Sequence, residues 1–116
     1  VGHVETEELD DLYRECQLFV FPSAVETFGN PLLEAMARGV PIASSNAAAM
    51  PEVIGDAGLT FDPENAREIA SRIATLLVDP KMRVKLGEKA AKRARSFTWE
   101  ETARRTLVVL RAAAGR

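Results

Sequence analysis

The sequence predicts an α/β protein in which a parallel sheet is flanked by helices, and three observations carry that expectation. Short apolar runs at Leu18–Phe21, Val40–Ser44 and Leu59–Phe61 lack polar alternation, the form of strands buried on both faces. Segments with apolar residues at three- and four-residue spacing lie between and after them. Strands alternating with helices call for parallel pairing through right-handed crossovers.

Val1-Gly2-His3-Val4 reads as the tail of a strand whose start lies upstream, so the chain is expected to be part of a larger domain. A helix begins near Thr6, where Glu7, Glu8, Asp10 and Asp11 complement the dipole, and Leu9, Leu12, Tyr13 and Cys16 form its buried stripe. Nothing electropositive lies near Cys16, which is read as core packing. Leu18–Phe21 is then a strand closed by Pro22. A loop carrying Glu26 and Gly29 follows, and Asn30-Pro31 matches an N-cap with proline at the first helical position, opening a helix that carries Glu34.

Gly39 stands where a C-terminal glycine cap belongs, before a strand at Val40–Ser44 in which Pro41 is tolerated near the start. Ser44 to Ala49 is expected to be a loop at the strand's C-terminal end, where open α/β sheets bind ligands. Pro51 opens a short helix through Ile54, with Glu52 expected to cap it, and Leu59–Phe61 is the last strand. Three helices close the chain. Their predicted stripes are Ala66, Ile69, Ala70, Ile73, Leu76 and Leu77, then Met82, Leu86, Ala90, Ala94 and Phe97, then Trp99, Ala103, Thr106, Leu107 and Leu110. Asp79-Pro80 is an N-cap with its proline, and Thr98 with Glu101 a capping box.

Composition narrows the functional classes. With 116 residues the chain is one domain or less, and a net charge of −2 gives no footprint for nucleic acid. The basic residues between Lys81 and Arg95 are interrupted by Glu88 and lack aromatic partners, as on a solvated helix face. Cys16 is the single cysteine, which rules out an internal disulfide or a multi-cysteine metal site and favours a reducing, cytoplasmic setting. The longest apolar run is far short of a bilayer span, and the first residues lack signal-peptide form; peripheral membrane attachment of a longer protein stays open. His3 is the single histidine and has no Asp or Ser partner nearby in sequence, so it is not read as a base.

The chemistry concentrates after Phe21. A strand leading through a glycine-bearing loop into a helix offers free N–H groups and a positive dipole end, which suits an anion. Glu26 and Glu34 are eight positions apart, and each carboxylate can accept two hydroxyl donors, which suits a sugar ring or a ribose. Phosphate at the helix start with hydroxyls on the glutamates describes a sugar nucleotide.

Glu26-Thr27-Phe28-Gly29-Asn30-Pro31-Leu32-Leu33-Glu34, continued by Ala35-Met36-Ala37-Arg38-Gly39-Val40-Pro41-Ile42, resembles the E-x7-E signature of retaining glycosyltransferases with two Rossmann-like domains, the GT-B architecture. The resemblance extends to Gly2-His3-Val4, Met50-Pro51-Glu52-Val53, Gly58 through Pro63, and Phe97-Thr98-Trp99-Glu100, and so covers nearly the whole chain in order. It implies that residues 1–116 are the C-terminal part of a Rossmann-like donor-binding domain. The acceptor-binding domain and the Lys and Arg diphosphate clamp would lie upstream, leaving the isolated piece weakly active or inactive.

The same resemblance gives Glu26 the donor-sugar hydroxyls beside the reacting carbon, and makes it the catalytic candidate without casting it as a nucleophile. Phe28, Gly29 and Asn30 would bind sugar and diphosphate through backbone N–H groups, and Glu34 the ribose hydroxyls. His3 and Val4 would border the nucleobase. No Asp-x-Asp motif is present, so neither metal nor cofactor is expected, and the nucleotide-diphosphate sugar is itself the donor substrate. Thr27 and Asn30 differ from the commonest residues of such loops and leave donor identity open. A non-catalytic nucleotide-sugar-binding module and a GT-B-type epimerase or phosphorylase are the alternatives; a receiver-type domain lacks its acidic pair and switch residues. In a Rossmann-like strand order two upstream strands would separate the strand ending at Val4 from Leu18–Phe21, so the latter is expected either to form an exposed edge prone to self-association or to be completed from elsewhere.

Overall fold

The computed structural model describes residues 2–115. Helix α1 (Thr6–Glu15) precedes strand β1 (Phe19–Phe21), then α2 (Asn30–Ala37), β2 (Ile42–Ser45), α3 (Met50–Ile54), β3 (Leu59–Phe61), α4 (Ala66–Val78), α5 (Pro80–Ala94) and α6 (Trp99–Ala114). The strands form a parallel sheet in the order β1-β2-β3, with Phe19 beside Ile42 and Ala43 beside Leu59. This is the α/β, Rossmann-like arrangement expected for part of a larger domain.

Alternation along each strand sends side chains to two cores. Phe19, Phe21 and Ile42 join Leu32, Met36, Met50, Val53 and Ile54 beneath α2 and α3. Leu18, Val20, Ala43, Leu59 and Phe61 meet Leu76 and Leu86 on the other face. All four residues of β2 are buried, as a central strand requires, whereas β1 is only half-buried because it is an edge of the sheet.

The turn after α2 is a complete Schellman motif: Gly39 at φ +70° donates to Met36 O (3.0 Å), and Val40 to Ala35 O (3.1 Å). Asp79 caps α5 by accepting from Met82 N (2.9 Å), with Pro80 as the first helical residue.

Several expectations are corrected. The segment read as a strand tail at Val1–Val4 has no strand at residues 2–4, where Gly2 has φ +74° and no strand among the described residues pairs with it; Val1 lies outside the described residues. β2 starts two residues later than Val40 and includes both Ser44 and Ser45, so the following loop is confined to Asn46–Ala49. Leu9 and Leu12 are exposed, because α1 flanks the sheet edge and reaches the core through Tyr13 and Cys16 alone. In α4 only Leu76 is fully buried, Ile69 and Ile73 are half-buried, and Ala66, Ala70 and Leu77 face outward. α6 buries no residue, Trp99 and Leu110 included, since no other described element packs over its apolar side. Thr98 accepts from Glu101 N (3.1 Å), but the Glu101 carboxylate turns to Arg104 and Arg105, so only half of the capping box forms.

Candidate functional site

The loop from Pro22 to Gly29 leaves the C-terminal end of β1 and delivers the chain to α2. Its neighbour, Asn46–Ala49, leaves the same end of β2, and the parallel pairing sets the two loops side by side. Asn46 is tied down by donating to Phe61 O (2.8 Å), and Ala47 by donating to Ser45 Oγ (3.0 Å). Ala48, next in the loop, adopts a left-handed φ of +49°.

The residue capping α2 is Gly29 rather than Asn30, which becomes the first helical residue with Pro31 the second. Gly29 sits at φ +84°, a region open to glycine without strain, and accepts from Leu32 N (2.9 Å) and Leu33 N (3.3 Å). With no capping side chain, and with Pro31 lacking an N–H, the Asn30 N–H is the donor of the first turn left uncovered. The backbone N–H groups of Glu26, Thr27, Phe28, Gly29 and Asn30 have no partner among the described residues. They run in sequence into a positive helix end.

Each glutamate is held by one hydroxyl. Ser23 Oγ lies 3.1 Å from Glu26 Oε1 and 3.2 Å from Val25 O, which ties the half-buried Glu26 to its own loop. Glu34 lies one turn into α2, exposed, and accepts from Tyr13 OH across to α1 (3.2 Å). Arg38 donates to Glu34 O (2.9 Å), stacks over the Tyr13 ring at 5.0 Å, and pairs with Asp10. That guanidinium, followed in influence by Arg14, holds the Asp10 carboxyl below its ordinary range.

Phe28 is half-buried with its ring edge-on to Phe97 at 5.7 Å, so the side chain packs inward while its N–H stays in the loop. His3 is exposed and Val4 half-buried, both in the irregular segment before α1. Glu52 makes no capping hydrogen bond; its carbonyl instead accepts from Arg93 Nη2 (2.6 Å). Glu26, Phe28, Gly29, Asn30 and Glu34 are therefore brought into one loop-and-helix unit, while His3 and Val4 lie on a separate segment. A cleft of about 290 Å³ lies elsewhere, between Glu52, Arg93, Phe97 and Arg105, and is not lined by either site glutamate. No helix among the described residues is long and apolar enough to cross a membrane.

Sequence inspection missed Ser23 and Tyr13, the two hydroxyls that orient the glutamates. Ser23 has a local signal, a serine three residues before an acid in a proline-bounded loop. Tyr13 has none, because it lies 21 residues from Glu34 and reads as one more apolar position of α1.

The chain resembles O-antigen chain mannosyltransferase B of Escherichia coli, at 40% identity over 107 residues, covering 92% of this chain and 28% of that protein. In three dimensions it superposes on a sucrose-phosphate synthase of Thermosynechococcus elongatus with a TM-score of 0.83 and 30% identity, covering 99% of this chain and 30% of the other. A protein of Anabaena, HepE, in complex with UDP shares the fold, with a TM-score of 0.71 at 23% identity over 89% of this chain and 29% of its own. The chain thus spans less than a third of the length of each of these proteins. The family model for glycosyl transferases group 1 matches residues 1–93, and the chain belongs to that family.

Proposed function

We propose that the chain is the C-terminal part of the donor-binding domain of a retaining glycosyltransferase, holding a nucleotide-diphosphate sugar between the loop after β1 and the start of α2. The observation that supports this is the run of N–H groups from Glu26 to Asn30, unpartnered among the described residues and leading into α2, with the Glu26 carboxylate at its start and that of Glu34 one turn into the helix. The E-x7-E motif, Glu26 to Glu34, is assigned on that basis.

The diphosphate sits on these donors and the helix dipole. Negative charge grows on the departing diphosphate as the sugar carbon becomes oxocarbenium-like, and preformed donors stabilise that charge without reorganising. Glu26, steadied by Ser23, accepts from the sugar hydroxyls, and Glu34 accepts from the ribose. Gly29 supplies the left-handed φ of +84° that turns the loop into α2 and sets the direction of its N–H groups. His3 and Val4 lie on the nucleobase side. The whole protein supplies the acceptor site and the cationic clamp, so the 116-residue piece binds donor but transfers little. The single cysteine fits a reducing compartment, and we place the protein in the cytoplasm.

Calorimetry on the full-length protein with UDP-, GDP- and ADP-sugars tests this. Saturable binding of one nucleotide class, lost when Glu26 and Glu34 are both changed to Gln, is expected. Absence of binding across the panel contradicts the proposal.

A further inference from the structure

Tyr13 is held more firmly than docking a short amphipathic helix requires. It is 6% exposed, its ring tilts against Phe19 at 5.6 Å, and Arg38 covers it at 5.0 Å. Arg38 is itself fixed by Asp10 and by Glu34 O. The phenol has one proton and two acceptors in reach: Glu34 Oε2 at 3.2 Å and Pro31 O at 3.4 Å. The charged, nearer oxygen is the stronger acceptor.

We propose that Tyr13 is a positioning residue, whose hydroxyl immobilises one oxygen of Glu34 so that the rest of the carboxylate is aimed at the vicinal hydroxyls of a ribose. The inference rests on the proposed nucleotide-sugar site and adds to it a group on another helix. Glu34 is exposed, and an untethered glutamate would sample several rotamers; fixing Oε2 leaves Oε1 with both lone pairs free. Burial, with the nearby Glu34 charge adding to it, pushes Tyr13 up to about 12, so the phenol remains a donor throughout the neutral range.

Ligand chemistry separates positioning from simple helix docking. In the full-length protein, binding of UDP, GDP and ADP is compared with that of their 2′,3′-dideoxy counterparts, for wild type, Tyr13→Phe and Glu34→Gln. Phe keeps the ring against Phe19 and Arg38, and thermal melting reports whether the fold is kept. Wild type is expected to prefer the ribose form of its cognate nucleotide by about tenfold, the worth of one hydrogen bond to a charged group. Glu34→Gln should lose that preference. Tyr13→Phe should lose about fivefold of it while binding the dideoxy form as wild type does. If Tyr13→Phe weakens both forms equally, or neither, the positioning role is overturned while the Glu34 assignment stands. If Glu34→Gln keeps the full preference, or none of the six nucleotides binds wild type, the underlying site assignment fails and the positioning role with it.

Discussion

Gly39 and Gly87 bring the end of α2 and the middle of α5 together backbone to backbone, so closely that a Cβ on Gly87 would overlap the Gly39 carbonyl oxygen. The clash is with main chain in a Schellman turn, which cannot rotate aside. Gly87→Ala should therefore destabilise, since overpacking costs roughly 1–3 kcal/mol against a helix-propensity gain of about 1 kcal/mol at most. Urea unfolding should show a lower midpoint at unchanged slope.

Arg93 closes the C-terminal end of α3, donating from Nε to Val53 O (2.7 Å) and from Nη2 to Glu52 O (2.6 Å). Its guanidinium lies 5.8 Å from the centre of the Phe97 ring, which in turn packs on Phe28. Arg93→Ala is expected to cost about 2 kcal/mol. Arg93→Lys should recover only part, because one ammonium cannot reproduce the planar fork. Chemical denaturation of the three proteins orders them directly.

Tyr13 titrates higher folded than unfolded, since its value rises from 10.0 to about 12. A raised folded value means that the stabilisation is complete below pH 10 and fades as the pH climbs to about 12. The hydrogen bond to Glu34 should make wild type more stable than Tyr13→Phe at pH 8, and the raised value should shrink that gap across the alkaline window in pH-dependent melting curves.

The fold was readable where periodicity and local punctuation agree. Asp79-Pro80 and Gly39 mark real helix ends because capping is local chemistry, and the runs around Val20, Ala43 and Thr60 are strands because their neighbours in sequence already show two-sided burial. The apolar residues of α1 and α6 misled because a stripe signals a face that can be buried, without naming what covers it. At the site the same division holds. The position of Gly29 before α2 was visible, but its left-handed φ made it, and not Asn30, the cap. The bond between Tyr13 and Glu34 depends on how α1 lies against α2, which no local pattern encodes.

Gly29→Ala probes the loop backbone. At φ +84° an L side chain is strained by roughly 1–2 kcal/mol. The added methyl would also tilt the N–H groups away from an anion. Lower stability together with weaker nucleotide-sugar binding is expected, read by melting temperature and calorimetry.

The central claim is that Glu26 grips the sugar being transferred, and the most direct measurement is turnover by the full-length protein with its cognate sugar nucleotide, before and after Glu26→Gln. Gln keeps the shape of the side chain but replaces one acceptor with a donor. A fall in kcat of about a hundredfold or more, the scale of losing one transition-state hydrogen bond, with the melting temperature unchanged, is the result predicted. Turnover equal to wild type would contradict it.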